Sequence, residues 1–453
     1  MDYRECLNYL AALGQELRGV VFSLEPVSKI LQRLGEPHRD YNTAVVAGTN
    51  GKGSTSAMLA AILDEAGYPT GLYTSPHLVR VNERFRVRGR EITDSDLARS
   101  FTEVREAVEQ LVEQGILQDR PSFFEFLTAT AFLHFARADV RMAVLEVGMG
   151  GRLDATNVTE PEIVVITNID LDHTEFLGQT HSAIAVEKAG VIKAGCTVVS
   201  GVENSDAAEV IRRRCTEVGA KLVETACHAK VLNLQSSEGR YTFDLALDPD
   251  FFSQLTPALL GRFQISNAVT AVTAARMLSK EGFEIPSRAV ADGLRRAVWP
   301  GRLEVIRESP LVVMDGAHNP AAAREIAGFV SEHWAGKSLR LVYASMRDKA
   351  IGEISGILFP LAQEVYLTQP DHPRAAEPAE ILSAAQSLPA KFFLEPEPAH
   401  ALSKACQASS ADDVVLVIGS LFLVGAIKKA QLEGKLKLGP IADQSLPAFK
   451  RRE

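Results

Sequence analysis

Two rhythms alternate along this chain. Short apolar runs at Thr43–Ala47, Met142–Val147 and Ile163–Ile169 are separated by stretches whose apolar residues recur at helical spacing. That alternation predicts a mostly parallel sheet covered by helices. After the first run, Met58, Leu59, Ile62, Leu63 and Ala66 mark one helical face, and Gly67 falls where a glycine would end the helix. The rhythm returns later, with strands expected near Leu311–Met314, Leu339–Ala344, Glu364–Leu367, Lys391–Leu394 and Val414–Ile418. Between the two series, Ala297-Val298-Trp299-Pro300-Gly301-Arg302 breaks the pattern with Pro and Gly. The expected division is therefore a sheet domain over residues 1–298 and a smaller Rossmann-like α/β domain over 299–438. The segment 439–453, with two prolines and the basic Lys450-Arg451-Arg452, reads as a mobile tail.

Composition narrows the class. At 453 residues, 46% hydrophobic and 23% charged, the chain can bury real cores, and it matches neither disordered, collagen-like nor disulfide-rich proteins. Lys plus Arg is 48 and Asp plus Glu is 57, so 48 − 57 = −9 argues against a general nucleic-acid surface or an anionic-membrane footprint. An anionic substrate must then be met by a local positive site. The five cysteines, Cys6, Cys196, Cys215, Cys227 and Cys406, are scattered and never form a Cys-x-x-Cys pair, which reads as reduced and cytoplasmic. The acidic start Met1-Asp2-Tyr3-Arg4-Glu5 lacks the apolar region of a signal peptide. Val414–Ile427, the most apolar stretch at 14 residues, falls short of the roughly 20 needed to span a bilayer and reads as a buried strand followed by a helix.

The sharpest motif is Gly48-Thr49-Asn50-Gly51-Lys52-Gly53-Ser54-Thr55, between the first strand and the first helix. Glycines there let backbone N–H groups and the helix N-terminus face a phosphate, and Lys52 adds a cation for the β/γ oxygens. It is not a strict Walker A loop: Val46 stands at the first-glycine position and Gly53 follows the lysine. A Gly-rich turn with a solvated lysine is the competing reading, disfavoured by the strand and helix that flank it. Two further segments follow strands, Glu146 to Asn157 and Asn168-Ile169-Asp170-Leu171-Asp172-His173-Thr174. Carboxyl ends of strands in an open α/β sheet converge, so Glu146 and His173 can both reach a metal on the phosphates. His173 equally suits an ordinary satisfied loop histidine. Gly148, Gly150 and Leu153 do not make a dinucleotide fingerprint, because the third glycine is missing.

Taken together, these blocks resemble the folylpolyglutamate synthase and dihydrofolate synthase family of the Mur-ligase superfamily. The likeness runs in order through Gly48 to Thr55, Tyr73-Thr74-Ser75-Pro76-His77-Leu78, Ser122-Phe123-Phe124-Glu125, Glu146 to Asn157, Asp172-His173-Thr174, Glu187-Lys188-Ala189-Gly190, Trp299-Pro300-Gly301-Arg302, Asp315-Gly316-Ala317-His318-Asn319-Pro320 and Gly419-Ser420-Leu421. In that family the glycine after the lysine is itself a mark. The resemblance implies an ATP-dependent ligase in which ATP phosphorylates a pterin-linked carboxylate and the amine of L-glutamate attacks the acyl phosphate.

Residue by residue, the resemblance implies ATP contacts from Asn50, Gly51, Lys52, Gly53, Ser54, Thr55, Asn267, Arg302 and Asp315, and Mg²⁺ ligation by Ser75, Glu146 and His173. Lys52, Lys188 and His318 are the expected catalytic residues, with Lys188 carried as a carbamate formed from CO₂. Ser122, Phe123, Phe124, Glu125, Leu153, Asp154 and Ala155 are expected on the pterin side, the two rings stacking and Asp154 and Glu125 accepting from N–H groups. His318 and Ser420 are expected near glutamate. Contacts on both domains imply that closure assembles the site and excludes water. Structural alternatives stand beside these: Asn267 or Asp315 as helix caps, Arg302 as an ion-paired hinge residue, Phe123 and Phe124 as the start of a core helix, and Lys188 as a helical lysine paired with Glu187.

The acceptor is open between dihydropteroate, a reduced folate and both. A bifunctional enzyme, cytoplasmic and monomeric, is the first expectation, with a monofunctional folylpolyglutamate synthase as the alternative. A different Mur-type ligase would need a uridine-nucleotide domain before the loop, and only 47 residues precede Gly48. A nucleotide-dependent switch or binding protein would use ATP without any acceptor.

Overall fold

The computed structural model describes residues 1–14, 23–385 and 388–437. The expected tail over 439–453 lies outside them. The chain forms two compact units, one of Met1–Asn233, Phe243–Leu255 and Ser266–Ala297, the other of Leu234–Thr242, Thr256–Ile265 and the chain from Val298 on.

The first unit is built on β1 (Asn42–Ala47), β2 (Thr70–Tyr73), β3 (Phe85–Val87), β4 (Arg90–Glu91), β5 (Met142–Glu146), β6 (Ile163–Ile166), β7 (Thr197–Ser200) and β8 (Lys221–Glu224). They lie in the order β4-β3-β2-β5-β1-β6-β7-β8. The long stretch from β2 to β8 is parallel, while β3 and β4 turn back antiparallel at one edge. Central β1 is buried from Thr43 to Ala47, as expected for a strand covered on both faces. The helix Lys52–Glu65 follows β1, with Ala66 as its cap and Gly67 at φ 93° just beyond, the predicted stop. Helix Ser287–Arg296 crosses it so closely that a Cβ on Gly293 would lie 2.5 Å from the Ile62 Cα. Helix Phe123–Arg137 delivers Phe126, Phe132 and Phe135 to the core, each fully buried and each contributing about 1.5–3 kcal/mol of burial.

A small sheet of β9 (Ala229–Ser237), β10 (Arg240–Leu247) and β11 (Asp250–Leu255) comes next, in the order β11-β10-β9. The second unit carries β12 (Glu304–Glu308), β13 (Leu311–Met314), β14 (Leu339–Tyr343), β15 (Glu364–Leu367), β16 (Lys391–Leu394) and β17 (Val414–Ile418), in the order β12-β13-β17-β14-β15-β16. All pairs are parallel except the β12–β13 edge. Both expected sheets are therefore present, and the apolar stretch at Val414 becomes β17 followed by the helix Leu421–Leu432. Some expected strands run one to three residues long: Ile163–Ile169 ends at Ile166, where Thr167 turns its side chain back to the phosphate loop.

Candidate active site

The Gly-rich segment leaves β1 and enters the helix Lys52–Glu65 as an open loop pinned from behind. Gly48 has φ 147°, and a Cβ there would meet the Thr167 Oγ1 at 1.9 Å. Gly51 caps the helix at φ 79° with the Asn267 amide against it, so a Cβ would lie 2.2 Å from Oδ1. Both positions require glycine. The residues after β6 hold the loop: Thr167 Oγ1 donates to the Asn50 carbonyl at 2.6 Å, the Asn50 N–H donates to Asn168 Oδ1 at 2.7 Å, and the Asp170 N–H donates to Thr49 Oγ1 at 3.0 Å.

Two lysines converge on one carbonyl of this loop. Lys52 Nζ donates to Gly48 O and Thr49 O, both at 3.0 Å, and Lys188 Nζ donates to Gly48 O at 2.7 Å. Lys188 lies on helix His181–Ala189 and is only 4% exposed. Burial first, and the Lys52 charge second, push its amine well below the ordinary lysine range, against the opposing pull of Asp172 and Asp154. Glu187, the partner of the helical-lysine alternative, instead pairs with Arg152, 3.1 Å away.

The helix bearing Lys188 is fastened to the segment after β5. The Arg152 N–H donates to Glu187 O at 2.9 Å, and Asn157 Nδ2 donates to Arg152 O at 2.9 Å and Gly190 O at 3.2 Å. A Cβ on Gly151 would lie 2.9 Å from the carbonyl oxygens of Glu187 and Lys188, and one on Gly190 2.4 Å from the Arg152 Cβ.

Of the expected metal residues, Glu146 lies at the end of β5, Ser75 just after β2, and His173 further along the segment that follows β6. Glu146 ends β5 beside Val46, is 5% exposed and accepts from the Ser75 N–H at 3.2 Å, while His173 adopts φ 50° at the start of the short helix Thr174–Leu177. Thr55 Oγ1, on the first turn after the loop, is buried and finds no hydrogen-bond partner among the described residues. Among the described residues no group of three or more His, Cys, Asp and Glu could hold a metal ion.

The two pterin-side carboxylates are each engaged within their own segment. Ser122 and Glu125 form a capping box: Glu125 Oε2 accepts from the Ser122 N–H and Oγ, both at 2.7 Å, and Ser122 Oγ accepts from the Glu125 N–H at 3.3 Å. The Glu125 carboxylate thus closes the helix start through Oε2. Asp154 is likewise engaged within its loop. Its Oδ2 accepts from the Gly148 and Met149 N–H groups at 2.9 and 3.1 Å, and Oδ1 accepts from Thr156 N–H and Oγ1 at 3.0 and 2.6 Å. Burial raises its carboxyl above the ordinary range, opposed by these four donors. Phe123 and Phe124 remain half-buried, Phe124 against Gly148 and Phe123 under the buried Arg84 guanidinium, 5.3 Å from ring centre. Leu153 is half-buried and Ala155 buried.

In the second unit Asp315 follows β13. Its Oδ2 accepts from the Leu303 N–H at 2.9 Å and its Oδ1 from the Ala317 N–H at 2.7 Å; burial raises its carboxyl, and the Arg302 charge opposes. The helix at Pro320 is capped by Asn319, whose Oδ1 accepts from the Ala322 N–H at 2.9 Å, so Asp315 is not that cap. Asn267 is not a cap either, since it lies within helix Phe263–Lys280. Arg302 Nη1 donates to Gly301 O at 3.3 Å. His318 Nδ1 lies 2.8 Å from Gly316 O, an acceptor only, so Nδ1 carries the proton. Ser420 caps the helix Leu421–Leu432 by accepting from the Phe422 N–H at 3.1 Å. Asn157 and Asn168 lie in the quoted segments but were given no role, and Thr167 fell inside an expected strand; their position just after a strand or within the Gly-rich segment was the available signal.

A phosphate-type loop, a buried and a half-buried lysine upon it and two α/β units define an ATP-dependent ligase of the Mur type. Residues 46–275 match the Mur ligase middle domain and residues 301–421 the Mur ligase glutamate ligase domain. The dihydrofolate synthase/folylpolyglutamate synthase of Bacillus subtilis is 33% identical over 91% of this chain and 95% of its own length. The structure of Escherichia coli FolC in complex with DHPP and ADP superposes with a TM-score of 0.84 at 30% identity, covering 95% of this chain and 98% of that one. That of the Yersinia pestis bifunctional folylpolyglutamate synthase/dihydrofolate synthase, complexed with AMPPNP and Mn ion, gives a TM-score of 0.82 at 31% identity, covering 95% and 98%. The chain belongs to the dihydrofolate synthase/folylpolyglutamate synthase family.

Proposed function

We propose that this chain joins L-glutamate to the carboxylate of dihydropteroate and of reduced folates, the bifunctional form of its family's reaction. The observation that carries the reading is the convergence of Lys52 and the buried Lys188 on the Gly48 carbonyl of a loop whose glycines leave no room for side chains. An acceptor carboxylate oxygen attacks the γ-phosphorus of ATP and ADP leaves, giving an acyl phosphate. The glutamate amine then attacks the acyl carbon, phosphate leaves, and one amine proton is released.

Phosphoryl transfer depends on charge neutralisation and positioning. Lys52 faces the transferring phosphoryl group, and the N–H groups from Gly51 to Ser54 cradle the phosphates, with the Asn50 and Thr55 side chains beside them. The buried Glu146 carboxylate and the Thr55 hydroxyl, without a partner among the described residues, fit a divalent cation and phosphate oxygens. Ser75, Glu146 and His173 would hold Mg²⁺, with phosphate and water completing the set. The cation neutralises charge on the phosphates when bound. An amine kept neutral by burial is one that reacts with CO₂, so Lys188 serves as a carbamate, an anionic oxygen pair replacing a cation. His318, protonated at Nδ1, offers Nε2 to take the proton that leaves glutamate. Asn267 sits against the phosphate loop; Arg302 and Asp315 supply the second unit's ATP contacts. Phe123 and Phe124 stack the pterin, with Ser122, Leu153 and Ala155 beside them and Asp154 and Glu125 shaping the backbone that faces it. The protein works as a cytoplasmic monomer; its five cysteines are unpaired, and no helix among the described residues is long and apolar enough to cross a membrane.

The test is a product assay with ATP, Mg²⁺ and L-glutamate, run with dihydropteroate and separately with tetrahydrofolate. ADP and phosphate should appear only when acceptor and glutamate are both present, and with either acceptor. Turnover without an acceptor removes the ligase reading. Turnover with one acceptor alone removes bifunctionality.

A further inference from the structure

The peptide planes of the phosphate loop face two ways, and one plane marks the reversal. In a trans peptide the C=O of one residue and the N–H of the next point in opposite directions, so fixing one aims the other. The Gly48 carbonyl takes both lysines, Lys52 Nζ at 3.0 Å and Lys188 Nζ at 2.7 Å, while the Thr49 N–H of the same plane donates to Asn168 O at 3.0 Å. The next plane repeats the pattern. Thr49 O accepts from Lys52 Nζ at 3.0 Å, and the Asn50 N–H donates to Asn168 Oδ1 at 2.7 Å. The third plane is turned over: Asn50 O accepts from Thr167 Oγ1 at 2.6 Å, so the Gly51 N–H is aimed to the side on which the lysines stand.

Up to Thr49 the loop thus offers carbonyls to cations, and from Gly51 on it offers N–H groups to anions. Covalent geometry alone does not hold that change of sign. Rotating the Asn50–Gly51 plane alters chiefly ψ of Asn50 and φ of Gly51, and glycine tolerates either sign of φ. A rotated plane would turn Asn50 O towards the phosphates, a carbonyl where a donor is needed. The Thr167 hydroxyl opposes the rotation. Oγ1 has one proton to donate, and its other oxygen neighbour, Ala47 O, is farther away at 3.3 Å. The hydroxyl reaches across Gly48, where a Cβ would lie 1.9 Å from it. Thr167 is itself fixed: it is buried, its N–H donates to Ala47 O at 2.9 Å, and its carbonyl oxygen is 2.6 Å from the place of a Cβ on Gly201.

We infer that Thr167 is a positioning residue for nucleotide binding and phosphoryl transfer: its hydroxyl locks the Asn50–Gly51 peptide so that the first N–H of the cradle faces the phosphates. The inference rests on the phosphate-loop reading of Gly48 to Thr55 and names a side chain outside that motif on which the motif depends.

The experiment compares the full-length wild type, Thr167→Val, Thr167→Ala and Thr167→Ser. Calorimetric binding of a non-hydrolysable ATP analogue with Mg²⁺ comes first, then steady-state kinetics with either acceptor. Valine keeps the shape and keeps water out but has no proton to donate; alanine carries the comparison if the valine variant does not fold. Both should weaken analogue binding and raise the KM for ATP about 10-fold or more and lower kcat, while the KM for glutamate stays within about twofold. Thr167→Ser, which keeps the donor, should restore most of both. Wild-type analogue affinity and ATP KM in a folded valine or alanine variant overturn the inference. A serine variant as damaged as the valine one does the same, since the methyl group and not the hydroxyl would then matter. So does an equal rise in the KM for glutamate, the mark of a general disturbance. If the wild type binds the analogue without glutamate-dependent turnover, the ligase reading fails and the binding comparison still decides this inference; if it binds no analogue, both fall.

Discussion

Lys52 and Lys188 share an acceptor yet differ in environment, and their replacement should separate two kinds of loss. Lys52 is half-buried, and in the ligase reading its charge acts on the transferring phosphoryl group. Lys52→Ala should therefore lower kcat by about 10²-fold or more while leaving the melting temperature nearly unchanged, the pattern of a lost transition-state charge partner. Near-normal turnover would make the loop structural. Lys188 is held inside the protein, where an ammonium is disfavoured by burial and by Lys52. As a carbamate it should be essential, so Lys188→Ala should be nearly inactive and partly rescued by acetate, which can stand in the vacated space. Full turnover of that variant, or a plain amine at Lys188 in a mass spectrum of the intact active enzyme kept under CO₂, would remove the carbamate.

At the scale of elements, packing geometry sets what the sequence can tolerate. Gly151 sits against two carbonyls of the Lys188 helix, so Gly151→Ala should destabilise the protein by roughly 1–3 kcal/mol, as overpacking does, and lower kcat together with stability. Chemical denaturation alongside turnover measures both; an alanine variant with native stability would mean that the loop yields. Asp64, near the end of helix Lys52–Glu65, gives a pH prediction. Burial lifts its carboxyl from 3.8 to about 6, although it accepts from the Thr70 N–H at 3.1 Å. The folded chain then binds more protons than the unfolded one between those values, so the ionised group's cost is complete above pH 6 and relieved as pH falls through the window. Asp64→Asn, which keeps an acceptor for Thr70, should raise the denaturant midpoint at pH 7 and lose that advantage by pH 4; an equal gain at both values would exclude this cause. How legible such elements were depended on their burial. Fully buried β13 and β17 stood out as apolar runs, as did β15 beyond its half-buried Glu364, and the phosphate loop was marked by its glycines. Strand β9 was missed because its outer half, Asn-Leu-Gln-Ser-Ser, is exposed and polar, and β2 because Gly71 interrupts it to admit the Phe135 ring. The protein partners of the Asp154 and Glu125 carboxylates were not legible for a related reason: a motif states which residue is present, not which nearby N–H reaches it first.

For the whole molecule, nucleotide binding should register as stability. Ligand that binds only the folded chain adds about 2.7 kcal/mol at one hundred times its Kd, so Mg²⁺ with a non-hydrolysable ATP analogue should raise the melting temperature by several degrees, and less so in Lys52→Ala. An unmoved transition in the wild type would mean that the loop holds no nucleotide. The outer strands of the two large sheets carry a separate consequence. One sheet ends in β4, two exposed charged residues, and in β8, which begins with Lys221 and ends with Glu224. The other ends in β12, with Glu304, Arg307 and Glu308, and in β16, whose Lys391 ammonium lies over the Phe393 ring at 4.8 Å. Each open row of backbone groups is thus short and lined with charge, so a second molecule cannot extend it without stranding ions between chains. An enzyme that keeps its richest β-forming segments, such as Val-Val-Leu-Val-Ile, at the sheet centre and charge at the rims is guarded against fibrous assembly for as long as it stays folded.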